Sequence, residues 1–320
     1  MNKMNREDIR LIRRHSEFPP SLMDRILTKY VYNDANMWKK FLHLFFLVLA
    51  AGFTISGIIF FFAYNWDNLP KFVKLGMLEV LVIATIMTVL FTKLPAIVKN
   101  VTLTGATFLV GALFAVFGQI YQTGADAYDL FFTWTAAVTL WVVVSNFAPL
   151  WLTYLTLINT TAFLYSVQVA QHWDTTTIYV LLFVFNSLAL ASFLLLARSK
   201  KDIHIPQWFR YIIALAAASF GTIGVCIGII SDFDGIPGIL VFLILATLYS
   251  GGIIYSLHEK TVSYLSMISF SIIVIVSTFM LKISTDMEML LLTGLFIAIS
   301  VTMLIKMMIS LQKKWTTENE

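Results

Sequence analysis

The sequence predicts an all-α polytopic membrane protein of about ten transmembrane helices, with its N-terminus and C-terminus both cytoplasmic. Three observations carry that prediction. Apolar residues make up 59% of the 320 and charged ones only 12%, the balance a chain needs to lie in hydrocarbon. Windows of roughly 20 apolar residues, enough to cross about 30 Å of bilayer core as a helix, recur from Phe41 onward with short polar breaks. The basic residues fall on alternate breaks: nineteen of the 22 lysines and arginines share one side, which the positive-inside rule makes the cytoplasm.

The chain begins with forty polar and charged residues. Glu7 to His15 reads as a short helix, Pro19-Pro20 breaks it, and Ser21 can cap a second helix to about Tyr32. Residues 1–40 are expected to form a cytoplasmic helical hairpin. Leu11, Ile12, Leu22, Ile26 and Leu27 are too few to make a core of their own, so the hairpin packs on the membrane domain or docks a cytoplasmic protein partner. No short apolar stretch with a small-residue cleavage site precedes Phe41, which makes the first span the expected insertion signal.

The spans are expected at Phe41 to Tyr64, Pro70 to Thr92, Val101 to Ile120, Ala127 to Ser145, Pro149 to Ala170, Thr176 to Ala197, Trp208 to Ile230, Ile236 to Leu257, Val262 to Leu281 and Met287 to Met308. Inside fall Lys93, Lys99, Arg198, Lys200, Lys201, Arg210, Lys260, Lys306, Lys313 and Lys314, besides nine basic residues ahead of the first span. Only Lys71, Lys74 and Lys282 lie toward the outer face. Eight acids, Asp67, Asp126, Asp129, Asp174, Asp232, Asp234, Asp286 and Glu288, all fall outside, a bias that a rule about basic residues does not require.

The net charge of +4 is thus accounted for by orientation, and no nucleic-acid partner is expected. Cys226 is the only cysteine, which excludes an intramolecular disulfide and a CxxC motif. There is no GxxxxGK[ST], HExxH, GxSxG or GxGxxG, and His15, His43, His172, His204 and His258 are scattered. No metal, cofactor or catalytic residue is expected, and an enzyme is the least supported reading.

Two motifs stand out. The first span ends Phe62-Ala63-Tyr64-Asn65-Trp66-Asp67-Asn68-Leu69-Pro70, and Phe117-Gly118-Gln119-Ile120-Tyr121-Gln122-Thr123-Gly124-Ala125-Asp126 leads to Asp129-Leu130-Phe131 and Trp134. With the helical N-terminal segment, these resemble the bacterial family of predicted membrane proteins known as domain of unknown function 2157, over roughly Asp8 to Leu155. The resemblance implies a multi-pass protein of the bacterial inner membrane and brings no activity or substrate. It divides the chain into the hairpin at 1–40, a family-like membrane core of four spans at 41–155, six further spans at 156–312, and a cytoplasmic tail at 313–320. The first motif reads as a tight outer turn in which Asp67 or Asn68 caps the next helix and Pro70 fills its first turn.

Candidate sites follow from polar residues at unusual depths. Glu79, nine residues past Pro70 and so about 13 Å into the membrane, should face the bundle interior, as a proton or cation site or as a hydrogen-bonded structural group. Asn159 and Asn186 also lie at membrane depth and should bond across helices. Ala214, Ala217, Gly221, Gly224 and Gly228 share one helix face, for packing against a neighbouring span, for a dimer, or for sliding. Outside, Trp66, Asp67, Gln119, Tyr121, Asp126, Asp129, Trp173 and Asp174 combine rings with acids and an amide, a mixture that suits sugars or organic cations and equally describes an interfacial aromatic belt.

Three functions remain open on these residues. One is transport, or lipid or glycan handling, in the bacterial envelope, with the bilayer and a lipid, glycan or small molecule as partners. Another is a non-catalytic scaffold or sensor whose hairpin docks a protein. The third is an envelope enzyme acting at the outer face.

Overall fold

The computed structural model describes residues 35–121, 124–199, 205–233 and 236–317. Residues 1–34, which hold most of the expected hairpin, lie outside the described residues, as do Gln122, Thr123, Lys200, Lys201, His204 and Asp234. All secondary structure among the described residues is helical. In order these are α1 (Ala35–Tyr64), α2 (Lys71–Phe91), α3 (Ala96–Tyr121), α4 (Ala127–Ser145), α5 (Ala148–Gln168), α6 (Thr175–Ser199), α7 (Gln207–Ile230), α8 (Gly238–His258), α9 (Val262–Ile283) and α10 (Met287–Thr317). All ten are long and apolar enough to cross a membrane.

The largest departures from the expected spans are at α1 and α10, of 30 and 31 residues. Both continue past the hydrocarbon-length window because a helix with good formers has no reason to stop at the membrane surface. The continuation of α10 carries Lys313 and Lys314 of the expected tail in helical form and buries Trp315.

Every described proline stands at a helix start. Pro70, Pro206 and Pro237 are the N-cap residues of α2, α7 and α8, without a side-chain cap. The Pro95 carbonyl accepts the first turn of α3, and Pro149 lies in the first turn of α5. A fixed φ and a missing N–H cost nothing where the helix has no carbonyl to offer. The expectation that Asp67 or Asn68 caps α2 is corrected: the Pro70 carbonyl takes the Val73 and Lys74 N–H groups at 3.0 and 3.1 Å. The Asn65 carbonyl accepts the N–H groups of Asn68 and Leu69, both at 3.2 Å.

The described residues fall into two compact units, one up to Leu113 and one from Phe114 on. In the first unit α2 buries Lys74, Leu75, Leu78 and Val82. In the second, α7 is the central helix. Its small residues Ala214, Ala217, Gly221, Gly224 and Gly228 are all buried. A Cβ at Gly221 would meet the Phe183 ring of α6 at 3.0 Å, and one at Gly224 would meet Tyr179 Cβ at 3.0 Å and the Val180 backbone nitrogen at 3.4 Å. The stripe therefore lets α6 and α7 approach within one chain. Val180, Phe183, Val225, Ile229, Val241, Leu245 and Ile268 form the main core.

The α7–α8 connection is tightened by an unusual residue. Asp232 and Phe233 both take left-handed backbone angles (φ 56° and 57°), uncommon for a bulky side chain. The return for that strain is packing: the Phe233 ring lies against Gly228 of α7 and Gly238 of α8, where no Cβ intervenes.

Candidate functional site

Two cavities in the second unit share α6 as a wall. The first, of about 400 Å³, lies between α6, α7, α8 and α9. It runs from Phe183 and Ser187 on α6 to Arg198, with Leu194, Leu248 and Met267 among its apolar lining. The second, of about 510 Å³, lies between α4, α5 and α6, from Tyr128 and Trp173 down to Leu182 and Phe185. α6 begins after Asp174 and ends beside Arg198. One cavity thus opens along the Arg198 half of this helix and the other along the Asp174 half.

Between them stands the amide pair. Asn186 follows Phe185, which lines the second cavity, and precedes Ser187, which lines the first. Its Nδ2 donates to Asn159 Oδ1 at 2.7 Å, and Asn159 Nδ2 donates back to Asn186 Oδ1 at 3.1 Å. Each Nδ2 also donates to the carbonyl four residues earlier, Leu182 at 2.8 Å and Leu155 at 2.9 Å. Asn186 is eleven residues into α6, about 17 Å along the axis and close to mid-bilayer depth. Amides at that depth need partners, and these two supply one another.

The second cavity gathers part of the aromatic set expected at the outer face. Phe132, Tyr128, Tyr165 and Trp173 form a ladder with ring centroids 5.8, 5.1 and 5.8 Å apart. Thr135 and Thr161 face each other at 3.3 Å on its wall. The acids nearby are engaged with helix ends. Asp126 is the N-cap of α4, and its backbone N–H donates to the Asp129 carboxylate at 3.1 Å. Asp174 accepts the Thr177 N–H at 3.3 Å and also the Thr177 hydroxyl. The remaining members are elsewhere: Gln119 is exposed and Tyr121 packs on Phe117 at 4.7 Å. Trp66 and Asp67 belong to the first unit.

The first unit changes the reading of its own candidates. Glu79 was expected to face the bundle interior; it is exposed at the edge of the face that α2 buries, and it lines neither cavity. Lys74 is the buried charge of that helix instead, at 6% exposure. Its Nζ lies 3.8 Å from the centroid of the Trp66 ring, whose negative face replaces part of the lost hydration. Sequence reasoning had Lys74 only as an outer-face cation. The available signal was a lysine one turn into a helix after a tryptophan-bearing turn, which becomes a contact only once the turn folds back.

The described residues contain no group of three or more His, Cys, Asp or Glu side chains placed to hold a metal. A polar cluster lies beside the first cavity. Ser271 meets both Thr222 and the Tyr249 hydroxyl at 2.5 Å, and Thr278 donates to Cys226 Sγ at 3.2 Å. These groups satisfy one another inside the α7, α8 and α9 packing.

Residues 19–151 match the family model described as Predicted membrane protein (DUF2157). No curated protein and no solved structure matches the chain. The DUF2157 match covers α1 to α4 and the start of α5. The first cavity lies wholly beyond it and the second only partly within it. The family description names no activity.

Proposed function

We propose that this multi-pass membrane protein handles a membrane amphiphile, with a half-site along each half of α6. The observation that carries the reading is the pair of largely apolar cavities backed on opposite halves of one helix. Apolar walls of this length suit acyl or prenyl chains, and few polar groups converge on either chamber as a hydrophilic solute would require. An ion-coupled carrier is less well supported, because Glu79 lines neither cavity and the two asparagines are satisfied by each other. With the basic residues inside, the Arg198 half faces the cytoplasmic leaflet of a bacterial inner membrane and the Asp174 half the outer leaflet.

The test is lipid retention by the purified full chain, counted by native mass spectrometry, with each cavity blocked in turn. Gly251 lines the first cavity and a Cβ there meets nothing within 4 Å, so Gly251→Phe fills space without a backbone clash. Ala162→Phe adds a ring at the wall of the second cavity. Each block should remove one tightly retained lipid. Retention unchanged in both variants would overturn the reading.

A further inference from the structure

Among the described residues, the Arg198 end of the first cavity brings two guanidinium groups near one paired carboxylate. Arg198 lines the cavity, pairs with Glu259 at the end of α8, and stands 5.5 Å from the Tyr255 ring centroid. Arg210, in the first turn of α7, has no carboxylate partner among the described residues, and its buried Nε donates no hydrogen bond. Its guanidinium is engaged with the Tyr255 hydroxyl and within electrostatic reach of Tyr264, both of which line the cavity. Rings of Tyr211, Tyr264 and Tyr255 continue one another at 5.4 and 5.8 Å.

Helix stability does not explain Arg210, because a cation in a first turn opposes the helix dipole. Sidedness does not require it either, since Lys200 and Lys201 already place positive charge in the same connection. What the position does provide is a second guanidinium close to two tyrosines that line an apolar chamber, the first being Arg198, whose partner acid among the described residues is Glu259.

We infer that the first cavity takes an anionic phospholipid, one acyl chain lying between α6 and α8 and the phosphate held at Arg198 and Arg210. The inference rests on the amphiphile reading above and adds the headgroup class. Guanidinium forks match phosphate oxygens in pairs, and the tyrosine hydroxyls can donate to the same oxygens. A volume of about 400 Å³ falls at the lower end of the range of ligand sites, roughly 300–1,000 Å³, and suits a single chain better than a whole lipid.

The experiment titrates the purified full chain in detergent with phosphatidylglycerol or phosphatidylcholine and counts bound lipid by native mass spectrometry. Parallel samples contain inorganic phosphate. The wild type should hold the anionic lipid about tenfold more tightly, the scale of one charge-assisted bidentate contact. Arg210→Gln should remove most of that preference, while an unchanged melting temperature in detergent shows that the variant is folded. Arg210→Lys should keep part of the preference. Gly251→Phe should weaken both lipids. An unchanged preference in Arg210→Gln overturns the inference while the amphiphile reading survives on Gly251→Phe. If Gly251→Phe alters neither lipid, the first cavity is not the lipid site and the inference falls; if Ala162→Phe also changes nothing, the amphiphile reading falls with it. Displacement of the lipid by millimolar phosphate would make this a free-anion site and overturn the lipid assignment.

Discussion

Replacing Asn186 by leucine isolates the energy of the mid-bilayer amide pair. The substitution keeps asparagine's branching at Cγ and replaces its oxygen and nitrogen by methyl groups, so no cavity is left. It removes both reciprocal bonds, at 2.7 and 3.1 Å, and leaves the Asn159 carbonyl oxygen without its donor in a low-dielectric interior. Interhelical hydrogen bonds in membranes average about 0.6 kcal/mol with a maximum near 1.7, and an orphaned buried acceptor costs about 1–3 kcal/mol. Asn186→Leu should therefore destabilise the protein by roughly 2 kcal/mol. Asn159→Leu should cost a similar or smaller amount, because Asn159 is only half-buried and Asn186 is 1% exposed. The double variant should cost less than the two singles together, since it orphans nothing. The assay is reversible unfolding of the purified protein in mixed detergent micelles, run as a double-mutant cycle. A coupling energy within about 0.3 kcal/mol of zero would refute the reasoning, because independent sites add to that tolerance.

The other expectations are simpler. Gly224→Ala pushes a Cβ against Tyr179 and the α6 backbone and should cost about 1–3 kcal/mol by overpacking, read as a lower melting temperature; a stripe used only between chains would leave the isolated chain unaffected. Trp66→Leu should destabilise the first unit by about 0.5–2 kcal/mol through loss of the ring under Lys74, and Lys74→Met in the same background should recover part of it. Lys282→Gln breaks an ion pair to Asp232 in which both side chains are at least a third exposed, and should change stability by less than about 1 kcal/mol. Single cysteines at Asp126 and Lys314, in a Cys226→Ala background, should label with a membrane-impermeant maleimide from outside and only after lysis, respectively, if both termini are cytoplasmic.

Much of the architecture was legible because hydrocarbon leaves few choices. A helix is the only way for an isolated apolar segment to satisfy its backbone in lipid, so ten apolar windows read directly as ten helices. Pro70 marked a helix start for a similarly local reason, fixed φ and no N–H, and Pro95, Pro206 and Pro237 prove to stand at helix starts as well. Depth along a helix was legible too: Asn159 and Asn186 were singled out separately, and the structure joins them. What one sequence does not encode locally is which face of a helix meets which neighbour. Glu79 and Lys74 are five residues apart on α2, and the packing buries the lysine rather than the acid. The cavities were illegible for a related reason, being spaces left between α6 and its neighbours by residues such as Leu194, Leu248 and Gly251 that look like ordinary membrane apolar residues.

The acids that the sequence places on one side now have a physical origin. In the second unit α4, α6 and α10 begin at Asp126, Asp174 and Asp286 respectively. Each of these acids is engaged at its helix start: Asp129 with the Asp126 N–H, Asp174 with Thr177, Asp286 with the Ser284 hydroxyl and with Leu290 through its carbonyl. Helices that run inward from the same face present their positive dipole ends there, and aspartate is favoured at such ends. Alternating helix direction is enough to sort these helix-start acids to one face. An acidic vestibule therefore needs no ligand to account for it. Asp174→Asn, which keeps the capping oxygen, should leave both stability and lipid retention near wild type, whereas Asp174→Ala should cost about 1 kcal/mol of stability as a lost cap. A loss of lipid retention in Asp174→Asn with stability unchanged would show that the carboxylate has a binding role that the cap does not explain.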